Sequence, residues 1–170
     1  MALLNCCKNC NNSIINCPLS IIMKHLGCYL EFTDARNADL MRAYREQLRL
    51  CGFIVMPDIF ARVADSPSVR FWVSEERAAL VIAAMDAGRT LHRMRPNKRE
   101  MFAEIHRRVI RLRTLHPHRT LYDLVTEVVN QPAPKFYLTP RTVGEFIYRI
   151  KNGWHEHRHE KTSRYKTSNK

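Results

Sequence analysis

Apolar residues recur at helical spacing along most of this chain, and residues typical of turns separate the stretches in which they do. A spacing of three or four residues places such side chains on one face of an α-helix. Together with the prolines, glycines and capping residues at the ends, this pattern predicts helices at 37–51, 57–65, 74–88, 96–115, 120–129 and 139–153. We therefore predict an all-α protein, and five glycines in 170 residues are too few for a loop-rich or all-β fold.

Two proline-containing segments, 66–68 and 131–134, interrupt the helical pattern. Each is followed by a short basic and apolar stretch, 69–73 or 135–138, which reads as extended chain. A strand of this length has no hydrogen-bonding partner of its own. The two stretches could therefore pair as a tiny two-stranded β ribbon.

The middle of the chain contains two similar segments. Residues 58–82 align without a gap with residues 123–147, and Phe71 falls on Phe136 in this register. Apolar, turn, basic-aromatic and capping positions all match, so we predict an internal duplication. Each copy would be a tri-helical unit of helix, helix, short extended segment and helix. The predicted organisation is a poorly ordered Cys-rich leader, two tandem tri-helical units and a disordered basic tail, at 1–32, 33–90, 91–153 and 154–170.

The net charge of +12 lies entirely in the second half of the chain. Residues 1–88 hold nine Lys and Arg against nine Asp and Glu, whereas residues 89–170 hold nineteen against seven. A basic half joined to a neutral half points to a polyanionic partner, which could be DNA, RNA or an anionic membrane surface. The alternative is a basic protein that is merely soluble or ribosome-like.

The cysteines do not predict a metal site. Five of the six lie in the first 28 residues, and Cys7 and Cys10 have zinc-knuckle spacing, but no second pair follows. The histidines of segment 155–160 lie in the tail, and we expect no cofactor. No run of eighteen apolar residues predicts a membrane span, and no export signal is evident. We therefore expect a cytoplasmic, nucleoid-associated protein without membrane contact.

The segment 138–143 resembles the start of the recognition helix in helix-turn-helix proteins of the regulator and recombinase kind. The resemblance implies that Thr139 caps the helix and that Arg141 and Thr142 face the major groove. The linker 130–138 departs from that family, because nine residues stand where its turn has three or four. The whole chain also resembles small uncharacterised proteins of bacterial phages and mobile elements, through segments 70–78 and 132–140. This resemblance implies a phage or mobile-element origin and no particular activity.

Basic residues of the second unit predict phosphate contacts. Three arginines share the side of the long helix that faces away from its apolar residues, and four cations, Arg93, Arg95, Lys98 and Arg99, gather at its start. Both groups could equally be a solvated surface. The aromatics beside Arg70 and Lys135 could stack on bases or anchor the core. The candidate nucleic-acid-binding residues are Arg107, Arg108, Arg111, Lys135, Tyr137, Thr139, Arg141, Thr142 and Arg149.

The sequence predicts no catalytic site, since it shows no glycine-rich phosphate loop, nucleophile motif or paired acids. We expect a non-enzymatic DNA-binding protein, a regulatory or accessory protein of a phage or mobile element, that contacts phosphates and the major groove through the second unit. RNA is not excluded. In the first unit Glu75 and Glu76 would repel phosphates, so that unit could contact a protein partner. The alternative function is a helical protein–protein interaction or particle-associated module, which should expose an apolar patch.

Overall fold

A computed structural model describes the backbone of residues 18–153 and the side chains of residues 32–153. Within this range the protein is all-α and contains no β-strand, which confirms the predicted fold class. The helices are α1 (Pro18–Leu50), α2 (Met56–Asp65), α3 (Glu75–Asp86), α4 (Pro96–Leu115), α5 (Leu121–Val129) and α6 (Pro140–Lys151). Helices α2 to α6 begin and end within two residues of their predicted bounds. Helix α1 begins well before residue 37, within the stretch predicted as a leader.

Local capping chemistry explains why the later helices begin and end where they do. The hydroxyl oxygens of Ser74, Thr120 and Thr139 accept hydrogen bonds from the backbone N–H three residues onward, at 3.4, 3.2 and 3.2 Å. Gly88 and Gly153 follow α3 and α6 with φ of 74° and 65°. Only glycine adopts this left-handed conformation without a steric cost. These caps were predicted from the sequence and are confirmed.

The chain divides into two compact units, residues 1–33 and residues 34–170, and the packing described here belongs to the second. Its apolar side chains form two clusters. The α3–α4–α5 cluster is built around Phe71, Ile82, Ile105, Leu124 and Val128, all fully buried. The α1–α2–α6 cluster joins helix α6 to α2 and to the end of α1, with these buried residues at its centre: Leu40, Ile59, Val63, Val143 and Ile147.

The two predicted tri-helical units are therefore interleaved. Helix α3 of the first unit packs on α4 and α5, and helix α6 of the second unit packs on α2. The linker 66–74 carries α3, the third helix of the first unit, to α4 and α5. The linker 130–139 carries α6, the third helix of the second unit, to α1 and α2. This exchange explains why each unit supplies residues to both clusters.

The two linkers meet at their prolines. Ser68 and Ala133 exchange two backbone hydrogen bonds of 3.0 Å as an isolated antiparallel bridge. The bridge lies in the proline segments, and the predicted pairing of stretches 69–73 and 135–138 does not form, because these residues turn away to bond elsewhere. The N–H of Phe71 donates to the carbonyl of Val129 at 3.0 Å, and the N–H of Phe136 donates to that of Ala64 at 3.2 Å. These partners are related by the register of the sequence repeat, so the hydrogen bonds have local two-fold symmetry. The duplication itself stays a prediction.

Candidate nucleic-acid interface

The arginines predicted on α4 are largely engaged within the fold. Arg107 donates to Glu104 through Nε and Nη2 at 2.9 and 2.7 Å, and Arg108 donates to the same carboxylate through Nε at 2.7 Å. The hydrogen bond from Arg107, assisted by Arg108, lowers the pKa of Glu104 despite partial burial, and the same bond raises the pKa of Arg107. Arg108 also donates from Nη1 to the Pro132 carbonyl at 2.8 Å and lies over the Phe71 ring, 5.0 Å from its centroid. Arg108 therefore joins α4 to the second linker.

Lys135 and Tyr137, the basic and aromatic residues of the second linker, also make contacts within the fold. The Lys135 ammonium lies 2.6 Å from the Glu100 carboxylate and 5.5 Å from the centre of the Tyr137 ring. Tyr137 is 7% exposed and stacks on Phe71, with ring centroids 6.1 Å apart. Burial, with nearby carboxylates, raises the pKa of Tyr137 to about 12. Of the two interpretations offered by the sequence for Tyr137, the structure favours the core anchor over the exposed stacking residue.

The candidates on α6 lie at its exposed N-terminal end. The hydroxyls of Thr139 and Thr142 are 2.8 Å apart and take part in the cap. The Arg141 side chain is 89% exposed and reaches Glu145 at 3.2 Å. Arg149 is exposed on the last turn of the helix.

Helix α6 is supported by α2, whereas α5 packs on α3 and α4. The contact with α2 is close, because a Cβ at Gly144 would lie 2.9 Å from the Phe60 ring. The two helices of the helix-turn-helix resemblance thus have different neighbours in the described structure.

An interhelical ion pair joins the end of α3 to α4. Asp86 accepts hydrogen bonds from Arg113 at 2.7 Å and from His106 at 2.8 Å. Burial raises the pKa of Asp86, but the two hydrogen bonds and the charge of Arg113 outweigh that effect, so the pKa is lowered. Arg111, also predicted as a phosphate contact, is exposed and forms no ion pair with any described residue.

A different set of cations is left uncompensated, in the segment that connects α3 to α4 and begins α4. We call residues 89–99 the basic segment; it contains no acidic residue. Its five cations are exposed, and none pairs with an acid among residues 32–153: Arg89, Arg93, Arg95, Lys98 and Arg99. The nearest following acid, Glu100, is engaged by Lys135. The sequence shows four of these cations near the start of α4, but the predicted binding residues lay further along the chain. The signal for the basic segment is that it contains five cations and no acid over eleven residues.

The basic segment borders a cavity of about 280 Å³, which we call the α3–α4 cavity. Its apolar lining includes Trp72, Met94, Met101 and Phe102. Its charged lining consists of Arg77, Arg95 and Lys98, without an acidic residue.

The Trp72 ring in this cavity is held by a buried carboxylate that the sequence interpretation missed. Asp39, whose side chain is 2% exposed, accepts from the indole Nε1 at 3.1 Å and from the N–H of Val69 at 3.0 Å. Its other oxygen accepts from Arg42 at 2.7 Å. A single side chain of α1 thus fixes both the first linker and the orientation of the tryptophan. Sequence alone does not distinguish it from other helical acids.

A second exposed feature is apolar. The turn between α1 and α2 leaves five large apolar side chains in solvent, among them Phe53 at 84% and Ile54 at 57% exposed. We call this the apolar turn: Leu50, Phe53, Ile54, Val55 and Met56. Contiguous exposed apolar surface is typical of interaction sites.

No group of three His, Cys, Asp or Glu within the described residues is placed to hold a metal ion. None of the described helices has the length and apolar character needed to span a bilayer. The predictions for the N-terminal cysteines and for the histidine-rich segment 155–160 fall outside the described side chains. Comparison of the chain with protein-family models, curated proteins and solved structures finds no match.

Proposed function

We propose that this protein binds nucleic acid, with DNA as the first expectation, and catalyses no reaction. The observation that carries the proposal is the basic segment, where five exposed cations stand without an acidic partner among the described residues. Exposed cations of this kind neutralise phosphates and release counterions, which supplies affinity without sequence readout. Phosphate contacts would come mainly from the basic segment, with Arg111 as an extension along α4.

Groove contact is a further part of the proposal. Arg141 is almost fully exposed at the start of α6, beside the capping residue Thr139. Its ion pair with Glu145 is also exposed and therefore weak, so this arginine can reach a base edge. The regulatory or accessory role, the phage or mobile-element context and the nucleoid-associated location rest on the sequence resemblances and on charge. The buried or ion-paired candidates, Arg107, Arg108, Lys135 and Tyr137, would support the interface from within.

The experiment that tests this proposal is fluorescence-anisotropy titration of the full chain with a random duplex of about two helical turns at several salt concentrations. We expect affinity to fall steeply with salt, because each phosphate that a cation neutralises contributes about −0.9 to the slope of log K against log salt. A chain that fails to bind the duplex even at low salt would contradict nucleic-acid binding. Weak, salt-insensitive binding would also contradict it, since it would leave the cations outside the contact.

The apolar turn supports a second candidate function, protein–protein interaction through the first unit. Phe53 and Ile54 extend into solvent on a stretch that carries no charge, which is unfavourable unless another surface covers them. The first partner to examine is a second copy of the chain. Sedimentation should then show concentration-dependent association that the substitutions Phe53→Ser and Ile54→Ser abolish. A monomer at all concentrations would exclude self-association as the role of this turn.

A further inference from the structure

The α3–α4 cavity combines a concave apolar surface with converging positive charge. Its volume of about 280 Å³ lies just below the usual range for small-molecule sites. It is lined by residues around the starts of α3 and α4 and by the end of the first linker. A space of this size limits a bound group to about the dimensions of a small molecule.

The apolar lining is suited to a flat ring. The Trp72 indole is oriented by its hydrogen bond to Asp39 and by the packing of the linker. Met94 and Met101 lie on the same cavity, and their flexible, polarisable thioethers adapt to aromatic ligands. Phe102 is buried and closes the floor. Base stacking on aromatic and apolar side chains is tolerant of sequence because every base has a π face.

The charged lining is suited to a phosphate. Arg77, Arg95 and Lys98 are exposed around the cavity, and none of them forms an ion pair with another residue of the described chain. Three like charges around one concavity repel each other, and the low-dielectric walls concentrate their field. Helix α4 adds to this field, because its first turn contains no acid and its N-cap residue provides no side-chain cap.

We propose that the α3–α4 cavity receives one unpaired nucleotide of a bound nucleic acid. The base would lie against Trp72 and the two methionines, and the adjoining phosphate would lie between Arg77, Arg95 and Lys98. The nucleotide must be unpaired, because a base inside a duplex is stacked and cannot enter a pocket without being extruded. This inference rests on the proposed function and specifies its substrate: nucleic acid that contains a single-stranded or bulged position.

The test compares two DNA probes that bind the full chain at the same salt concentration. One is a fully paired duplex of about two helical turns, and the other is the same duplex with one additional, unpaired 2-aminopurine nucleotide at its centre. We expect the bulged probe to bind at least about fivefold more tightly, which is the lower end of what one stacked base contributes. We also expect the 2-aminopurine emission to change on binding, because the ring leaves water and meets the indole.

Variants distinguish the cavity from the rest of the basic surface. Trp72→Leu removes the stacking ring and should reduce the preference for the bulged probe to about one. Arg77→Ala with Lys98→Ala should reduce it about twofold or more, because the phosphate beside the base loses two of its three cations, while Arg77→Lys with Lys98→Arg should keep it. The matched control is Arg45→Ala with Arg49→Ala, which removes two exposed cations of α1 outside the cavity and should also keep it. Thermal unfolding followed by circular dichroism verifies that each variant folds.

The outcomes separate the two proposals. If the wild-type chain binds both probes equally and with a steep salt dependence, the cavity inference is wrong and the proposed function stands. If it binds neither probe, both are wrong. If the full preference for the bulge persists after Trp72→Leu and after Arg77→Ala with Lys98→Ala, the unpaired nucleotide lies elsewhere, and the assignment to this cavity is overturned.

Discussion

The two linkers occupy related positions in the fold but are held by different polar chemistry. In the first, the buried Asp39 carboxylate accepts hydrogen bonds from Val69 and Trp72. In the second, the predicted register of the repeat places Pro134 opposite Val69, and proline has no N–H to donate. Glu104 stands opposite Asp39 when the predicted register is continued to α1 and α4, and it binds two arginines instead of the linker. An acid therefore stabilises each linker. Asp39 accepts hydrogen bonds from the first linker directly, whereas Glu104 acts on the second linker through Arg108.

This difference determines which cations are available to a ligand. Glu104 binds Arg107 and Arg108, and Arg108 also donates to the Pro132 carbonyl. These two arginines of α4 therefore stabilise the fold and are less available to a ligand. The first linker shows the related contact, in which Arg42 donates to the Pro67 carbonyl at 3.2 Å. Positive charge without a partner among the described acids is left at the start of α4. Basic residues that form ion pairs within the fold must therefore be set aside before the remaining cations are assigned to an interface.

The largest expected effect comes from removing the buried acid of the first linker. Asp39→Ala leaves the N–H of Val69, the indole N–H of Trp72 and the guanidinium of Arg42 without that acceptor. We expect a loss of about 3 to 5 kcal/mol in the free energy of unfolding. Glu104→Ala should cost about 1 to 2 kcal/mol, since the arginines it frees can be hydrated. Urea unfolding at neutral pH measures both losses.

Glu46→Ala serves as the control for this pair, because Glu46 is 59% exposed and its ion pair with Arg42 lies at the surface. It should change stability by no more than about 0.5 kcal/mol. Equal losses for Asp39→Ala and Glu104→Ala would show that the two linkers are held equally strongly, against the comparison.

A smaller effect concerns pH. The pKa values of Asp86 and Glu104 are lowered by their hydrogen bonds to basic side chains. A carboxyl whose folded pKa lies below its unfolded value stabilises the fold above the unfolded pKa, and this contribution is lost as pH falls through the folded pKa. Stability should therefore be retained near neutral pH and decline below about pH 4.

Urea unfolding between neutral and acidic pH checks this dependence. The double variant Asp86→Asn with Glu104→Gln should be less stable than the wild type at neutral pH and should lose less on acidification. An acid-induced loss as large in the double variant as in the wild type would mean that other carboxyls are responsible.

The smallest effect compares the two glycines that end α3 and α6. Gly88 and Gly153 both have positive φ and follow α3 and α6, the third helices of the two predicted units. Each substitution by alanine should cost about 1 to 2 kcal/mol, because an L-residue is strained in this conformation. A Cβ at Gly88 would meet no neighbouring atom, so there the cost comes from the backbone alone.

Thermal unfolding of Gly88→Ala and Gly153→Ala measures these losses, and Gly52→Ala is the control. Gly52 has no positive φ and open space around it, so alanine should be tolerated there. If only one of the two glycine substitutions at positive φ is destabilising, the two helix ends differ in a way that their backbone conformation does not explain.

The helices were largely predictable from the sequence because their signals are local. Ser74, Thr120 and Thr139 cap the helices that they were predicted to cap, and the prolines lie where the pattern breaks. The exchange of α3 and α6 between the two clusters was not predictable, because it depends on how the linkers meet and not on any one helix. The bridge between Ser68 and Ala133 arises from that meeting.

The candidate site was predicted only in part, for the same reason. The second unit was identified as the source of charge, and the cations at the start of α4 were noted. The pairing of Arg107 and Arg108 with Glu104 follows helical spacing of three and four residues and was open to prediction. The burial of Tyr137 was not, because the ring stacks on Phe71 from the other linker.

The measurement that tests the central claim most directly compares two triple variants that remove the same charge. One, Arg93→Ala with Arg95→Ala and Arg99→Ala, removes cations that have no described acidic partner. The other, Arg107→Ala with Arg113→Ala and Arg119→Ala, removes arginines that are paired with described acids. Anisotropy titration with duplex DNA gives the slope of log K against log salt for each.

The first variant should reduce the magnitude of that slope by about 2.7, since three phosphate contacts are lost. The second should leave the slope close to that of the wild-type chain, even though its net charge is the same as that of the first. Equal reductions in the two variants, or a larger one in the second, would contradict the claim that the basic segment is where this protein meets nucleic acid.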